Sequence, residues 1–153
     1  MIELYRGDAK RIQHFCKVHS YAKLIAETEN VDKKCLFIIE AAALTHDIGI
    51  HFCEEKYGNC NGKLQEQEGP AIAERLLEKL GFEKDISERV QYLIAHHHTY
   101  NNINEIDYQI LVEADFLVNI MEDGLSKEAA LKAYHNIFKT ACGKTICREM
   151  FDI

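Results

Sequence analysis

Three stretches of the sequence place a charged or metal-ligating side chain where the surrounding residues call for core. In the string Ala-Leu-Thr-His-Asp-Ile-Gly-Ile, His46 and Asp47 end the most apolar run of the chain. A carboxylate at the end of a buried segment costs several kcal/mol unless it is paired or bound to a cation. Asp115 repeats the conflict, with Leu111, Val112 and Val118 as its helical neighbours. His14 does so again, on one stripe with Val18, Tyr21, Ala22 and Ile25. Each taken alone reads as a core polar residue with a hydrogen-bond partner. Taken together they suggest a shared compensation, and one divalent cation would satisfy all of them. Two imidazoles and two carboxylates give mixed nitrogen and oxygen ligation and balance a 2+ charge, a set that suits Mn, Fe, Co, Ni or Zn better than Ca.

A run of three histidines, His96-His97-His98, follows further on. Successive helical residues are about 100° apart, so the three cannot face one direction. The competing readings are a polar helix end and a role at a metal or a phosphate. His19, His51 and His135 have no such context and read as structural or surface residues. The six cysteines form no Cys-x-x-Cys pair and read as reduced, mostly structural thiols. A zinc site from Cys53 and Cys60 has weak support.

Helices are the elements that must position these groups. Asp8 offers an N-cap, and Ile12, Phe15, Val18, Ala22 and Ile25 then recur at helical spacing. A second helix starts after Asp32 and is apolar nearly all round from Leu36 to Leu44, which predicts a central place in the fold. Ile50 to Lys63, rich in Gly and Asn, reads as the longest loop. Pro70 suits the first turn of a third helix that ends at Gly81. Asp85 or Ser87 opens a fourth, and a fifth covers about Tyr108 to Met121. Ser126 caps a sixth that runs toward Thr140, with Gly143 ending it. The expectation is an all-α, compact bundle of six or seven helices, one domain over residues 1–153.

Composition agrees with that reading. The chain has 153 residues, a formal charge of −7, and only one Pro and eight Gly. So few turn residues disfavour a many-stranded sandwich or barrel. The negative charge argues against a nucleic-acid polymer as partner, without excluding a small phosphorylated substrate. The run around Ala41–Leu44 reads as too short and too interrupted, by Glu40, for a membrane span. No signal peptide is visible, and the cytoplasm is the expected compartment.

The order His14, His46-Asp47, Asp115 resembles the HD-domain superfamily of metal-dependent phosphohydrolases. The flanking strings match as well: Arg11-Ile12-x-His14 with Val18, Ala-Ala-Ala-Leu-Thr-His-Asp-Ile-Gly, and Glu-Ala-Asp-Phe-Leu around Asp115. The resemblance covers about Lys10 to Met121. It implies an all-α fold with His14, His46, Asp47 and Asp115 as metal ligands. Members with two metals usually carry Lys after the His-Asp-Ile-Gly string and a further His four residues before a Gly. This chain has Ile50 and Gln65 there, the latter ahead of Gly69. A mononuclear site is therefore expected, although a histidine pair is present as His97-His98.

With that ligand set, the expected activity is hydrolysis of a small phosphate ester, a nucleotide or a related phosphomonoester or phosphodiester. Asp47 would act at the metal, and His97 or His98 would serve as general acid or oxyanion donor. Arg11 shares a helix face with His14 and could reach a phosphate, and Lys56 and Lys63 are weaker candidates. Two other functions compete: a non-catalytic metal- or nucleotide-binding regulatory module, and an HD-type diiron oxygenase. Gln65 counts against the second of these.

Overall fold

The computed structural model describes residues 1–153 and is entirely helical. Eight helices follow one another: α1 Ala9–Thr28, α2 Lys33–Thr45, α3 Ile50–Tyr57, α4 Gly62–Lys79, α5 Lys84–Ile94, α6 Ile106–Glu122, α7 Lys127–Asn136 and α8 Ala141–Phe151. Local chemistry starts most of them. The side chains of Asp8, Asp32, Asn61, Ser126 and Thr140 each accept a hydrogen bond from a first-turn N–H of the helix that follows, which satisfies donors the helix itself leaves orphaned. Gly81, just past α4, adopts a left-handed φ of +77°.

The centre of the bundle is α2 with α6. Helix α1 packs on both, and α5 packs on α2 and against α4. Ile38, Ile39, Ala41, Ala42 and Ala43 bury most of α2, as its composition predicts. Helix α6 is buried on nearly every side, from Tyr108 through Ile120. Burying these apolar faces is the main favourable contribution to the fold.

Four expectations from the sequence are corrected. Residues 50–57 form α3 rather than open a long loop; Ile50 and Cys53 turn inward one helical turn apart. Helix α4 begins at Gly62, so Pro70 lies inside it rather than in its first turn. Pro70 cannot bond back to the Glu66 carbonyl, yet the helix continues to Lys79. Gly143 does not end a helix but sits in the first turn of α8, where a Cβ would stand 1.9 Å from Glu113 Oε2. Finally, Lys33–Tyr57 does have the length and apolar composition to cross a membrane, but it breaks into α2 and α3 and half of its apolar window is buried in the bundle.

That break is what exposes the chemistry. A turn over residues 46–49 separates α2 from α3. Gly49 lets the turn lie against α4, because a Cβ there would meet Gly69 Cα at 3.2 Å. Glycine on both sides allows the two backbones to approach.

Candidate metal centre

Four elements direct polar side chains to one point in the interior. Helix α1 supplies His14, the α2–α3 turn supplies His46 and Asp47, α6 supplies Asp115, and the turn after α5 supplies His97. His14, His46, His97 and Asp115 are all buried, and Asp47 nearly so. His14 Nε2 lies 3.3 Å from His46 Nε2 and 3.3 Å from Asp115 Oδ1. Asp47 Oδ2 is 3.7 Å from His14 Nε2 and 3.5 Å from His46 Nε2, and Asp115 Oδ1 is 3.5 Å from His46 Nε2. The other oxygen of Asp47, Oδ1, stands 3.3 Å from His97 Nε2.

The outer nitrogens of these rings are already engaged. His46 Nδ1 is 2.9 Å from the Ala43 carbonyl, and His97 Nδ1 is 2.8 Å from the Ile94 carbonyl. A carbonyl only accepts, so both Nδ1 atoms carry the proton. His14 Nδ1 bonds Glu122 Oε2 at 3.1 Å, and Lys17 Nζ holds the other Glu122 oxygen at 2.8 Å. In the neutral ring each Nε2 therefore turns its lone pair inward, toward other lone pairs and carboxylate oxygens. Only positive charge at the centre relieves that arrangement, as protons on the imidazoles or as a cation among them.

Two observations favour the cation. Asp115 Oδ1 is buried without a hydrogen bond of acceptable geometry, although such a group normally has a partner. Moreover, the two carboxylates balance the charge of a divalent ion, and His14, His46 and Asp47 offer ligand atoms within 4.8 Å of one another. The residues present therefore fit a divalent transition metal. Asp47, His97 and His98 form a second such group. There, however, His98 Nε2 faces Gln65 Oε1 at 3.3 Å, so its proton is committed to the amide.

The protonation pattern reflects the same crowding. Burial pulls the His46 imidazole down, but Asp47 and Asp115 outweigh it and push it up to about 9. Burial raises the Asp115 carboxyl, yet His14 and His46, when protonated beside it, hold it far below the usual carboxylate range. Burial, then the neighbouring His97, lowers His98 to about 4.

Of the expected phosphate-binding cations, Arg11 and Lys56 face carboxylates and Lys63 is exposed. Arg11 pairs with Asp8 at 2.7 Å and with Glu54 at 2.6 Å, so its guanidinium is neutralised by two carboxylates and ties α1 to α3. Lys56 is exposed, 3.3 Å from Glu68 and over the rings of Phe52 and Tyr57. Lys63 is exposed in the first turn of α4. His19 bonds Glu40, and His51 bonds Asp8. All six cysteines are unpaired thiols, and neither Cys53 nor Cys60 belongs to a group of candidate ligands.

Several contributors escape sequence reasoning. Glu122 orients His14, and Tyr5 donates to the Asp47 carbonyl at 2.8 Å. Glu66 Oε1 accepts from His98 N at 3.0 Å and from Thr99 Oγ1 at 2.9 Å, fixing the histidine turn. Only Glu122 had a signal: it lies seven residues, two helical turns, after Asp115 on the same face of α6.

A family model described as HD domain matches residues 11–140, most of the chain. No curated protein and no solved structure matches it.

Proposed function

The chain belongs to the HD-domain family, and on that premise we propose that it is a metal-dependent phosphohydrolase acting on a small phosphate ester, a nucleotide or a related phosphomonoester or phosphodiester. HD-domain proteins are mostly metal-dependent hydrolases. The observation that carries the reading is the convergence of His14, His46, Asp47 and Asp115 around an oxygen, Asp115 Oδ1, that has no other partner.

In this reading His14 and His46 ligate through Nε2, and Asp47 and Asp115 through carboxylate oxygens. One divalent ion, of Mn, Fe, Co, Ni or Zn, is the proposed cofactor. Bound there, it would lower the pKa of a coordinated water and offset charge on phosphoryl oxygens. The protein's own groups do the rest. Ala43 and Glu122 hold the two imidazoles in the ligating tautomer. His97, with Nδ1–H held on Ile94, has only Nε2, beside Asp47, free to exchange a second proton, and that atom is our candidate general acid. His98 is a neutral donor through Nε2–H, placed to serve a phosphoryl oxygen in exchange for Gln65. Arg11 is assigned to joining α1 and α3, since it would reach a phosphate only by releasing a carboxylate.

The test is a metal analysis followed by a phosphoester panel with Mn, Co, Ni and Mg. About one metal per chain with metal-dependent turnover supports the hydrolase. Binding without turnover supports a regulatory module, and two irons without phosphatase activity support an oxygenase.

A further inference from the structure

Tyr100 lies in the connection between α5 and α6, two residues beyond His98. Its hydroxyl is 3.4 Å from His98 Nδ1, and since His98 carries its proton on Nε2 the hydroxyl is the donor. Its ring meets the ring of Phe116 edge to face, with centroids 5.0 Å apart. Phe116 is half-buried and directly follows Asp115 on α6. Tyr100 thus touches one site residue with its hydroxyl and the neighbour of another with its ring. Tyr100 nevertheless remains 43% exposed. Beside His98 there is therefore an aromatic ring, in contact with Phe116, with much of its surface bare.

The charges around it define what that ring can recognise. Arg11 and Lys56 are engaged by carboxylates. Esters that share the same phosphate must then be told apart by contacts to their organic group. A tyrosine phenol is un-ionised at neutral pH, so the ring presents a neutral face to an anionic ligand. A neutral ring offers stacking to any planar aromatic group and little to a bare sugar or alkyl chain.

Resting on the reading of this site as a phosphohydrolase centre, we propose that Tyr100, backed by Phe116, is its specificity-determining platform, selecting phosphate esters whose organic group carries a planar aromatic ring such as a nucleobase. The ring would stack on that group while the phosphate faces the His14, His46, Asp47 and Asp115 cluster.

The experiment compares metal-loaded wild type, Tyr100→Phe, Tyr100→Leu and, as control, Phe37→Ala, whose ring stacks on Phe82 at 5.2 Å instead. The probes are adenosine 5′-monophosphate and ribose 5-phosphate for turnover, and their non-hydrolysable phosphonate analogues for calorimetric binding. Wild type should favour the adenosine compound by about tenfold or more, the scale of one base–aromatic stack. Tyr100→Phe and the control should keep that preference. Tyr100→Leu should bring it close to one by weakening the adenosine compound, with ribose binding unchanged. Absence of a preference in wild type, retention of it in Tyr100→Leu, or equal loss in Tyr100→Phe would overturn the platform; equal loss would assign Tyr100 to holding His98 through its hydroxyl. Binding that follows the expected pattern with no hydrolysis of either probe would support the platform and overturn the hydrolase reading instead.

Discussion

Glu122 Oε2 stands 3.1 Å from His14 Nδ1, on the side of the ring opposite the cluster. The bond fixes which nitrogen of His14 carries the proton, and Lys17 fixes the carboxylate in turn. A ligand held in this way loses less freedom when it binds a metal, and its basicity is raised.

Glu122→Gln should therefore weaken metal binding by roughly tenfold or more while the helices persist. Metal titration followed by a chromophoric chelator checks this, with far-UV circular dichroism as the folding control. An unchanged affinity would reduce Glu122 to a surface partner of Lys17.

Metal uptake should release protons at neutral pH. His46 is pushed up to about 9 in the metal-free protein, so it is charged at pH 7 and must lose its proton to ligate. Affinity should rise with pH up to about that value. The metal-free fold should behave in the opposite sense. A group whose folded pKa is raised stabilises fully below its unfolded value, near 6.5, and that contribution is lost as pH rises through about 9. The melting temperature of chelated protein should fall between those two pH values, and that of loaded protein should fall less. Calorimetric titration in buffers of different ionisation enthalpy counts the protons.

Glu113→Ala should destabilise the fold without touching the metal. The Glu113 carboxylate is fully buried and accepts from Lys139 N at 2.6 Å, Thr140 N at 2.9 Å and Gln109 Nε2 at 2.7 Å, as well as from the Thr140 hydroxyl. Removing it strands several buried donors at the start of α8, at a cost of about 3 kcal/mol or more. Denaturant unfolding measures the loss, and metal content should stay normal.

Arg11→Ala should change kcat/KM less than about threefold, because a surface-type pair of this kind contributes at most about 1 kcal/mol and its loss leaves the cluster intact. A drop of tenfold or more at constant metal content would return Arg11 to the phosphate.

The four candidate ligands stood out because His14 and Asp115 lie on apolar helical stripes and His46 and Asp47 close the most apolar run, where a polar group needs a reason. The helices with clean apolar periodicity, α1, α2 and α6, were legible on the same grounds. Helix α3 was not, because it is only 8 residues long and Gly58, Asn59, Asn61 and Gly62 crowd its exit. Pro70 and Gly143 misled for a common reason: tertiary contacts override local preference. Packing carries α4 through its proline, and the space taken by the Glu113 carboxylate requires glycine at 143. The ion pairs of Arg11 were only half legible: Asp8 lies three residues before it, but Glu54 lies on another helix. Only the fold brings Glu54 to it.

Metal per chain in Asp115→Asn, by elemental analysis, tests the centre most directly. Asn keeps the volume and much of the hydrogen-bonding capacity but removes the charge. If Asp115 ligates the ion, the site loses one of two carboxylates, and bound metal and phosphoester turnover should both collapse while far-UV circular dichroism stays helical. His19→Gln, beside Glu40, should keep the wild-type content. A folded Asp115→Asn protein with full metal occupancy would contradict the assignment.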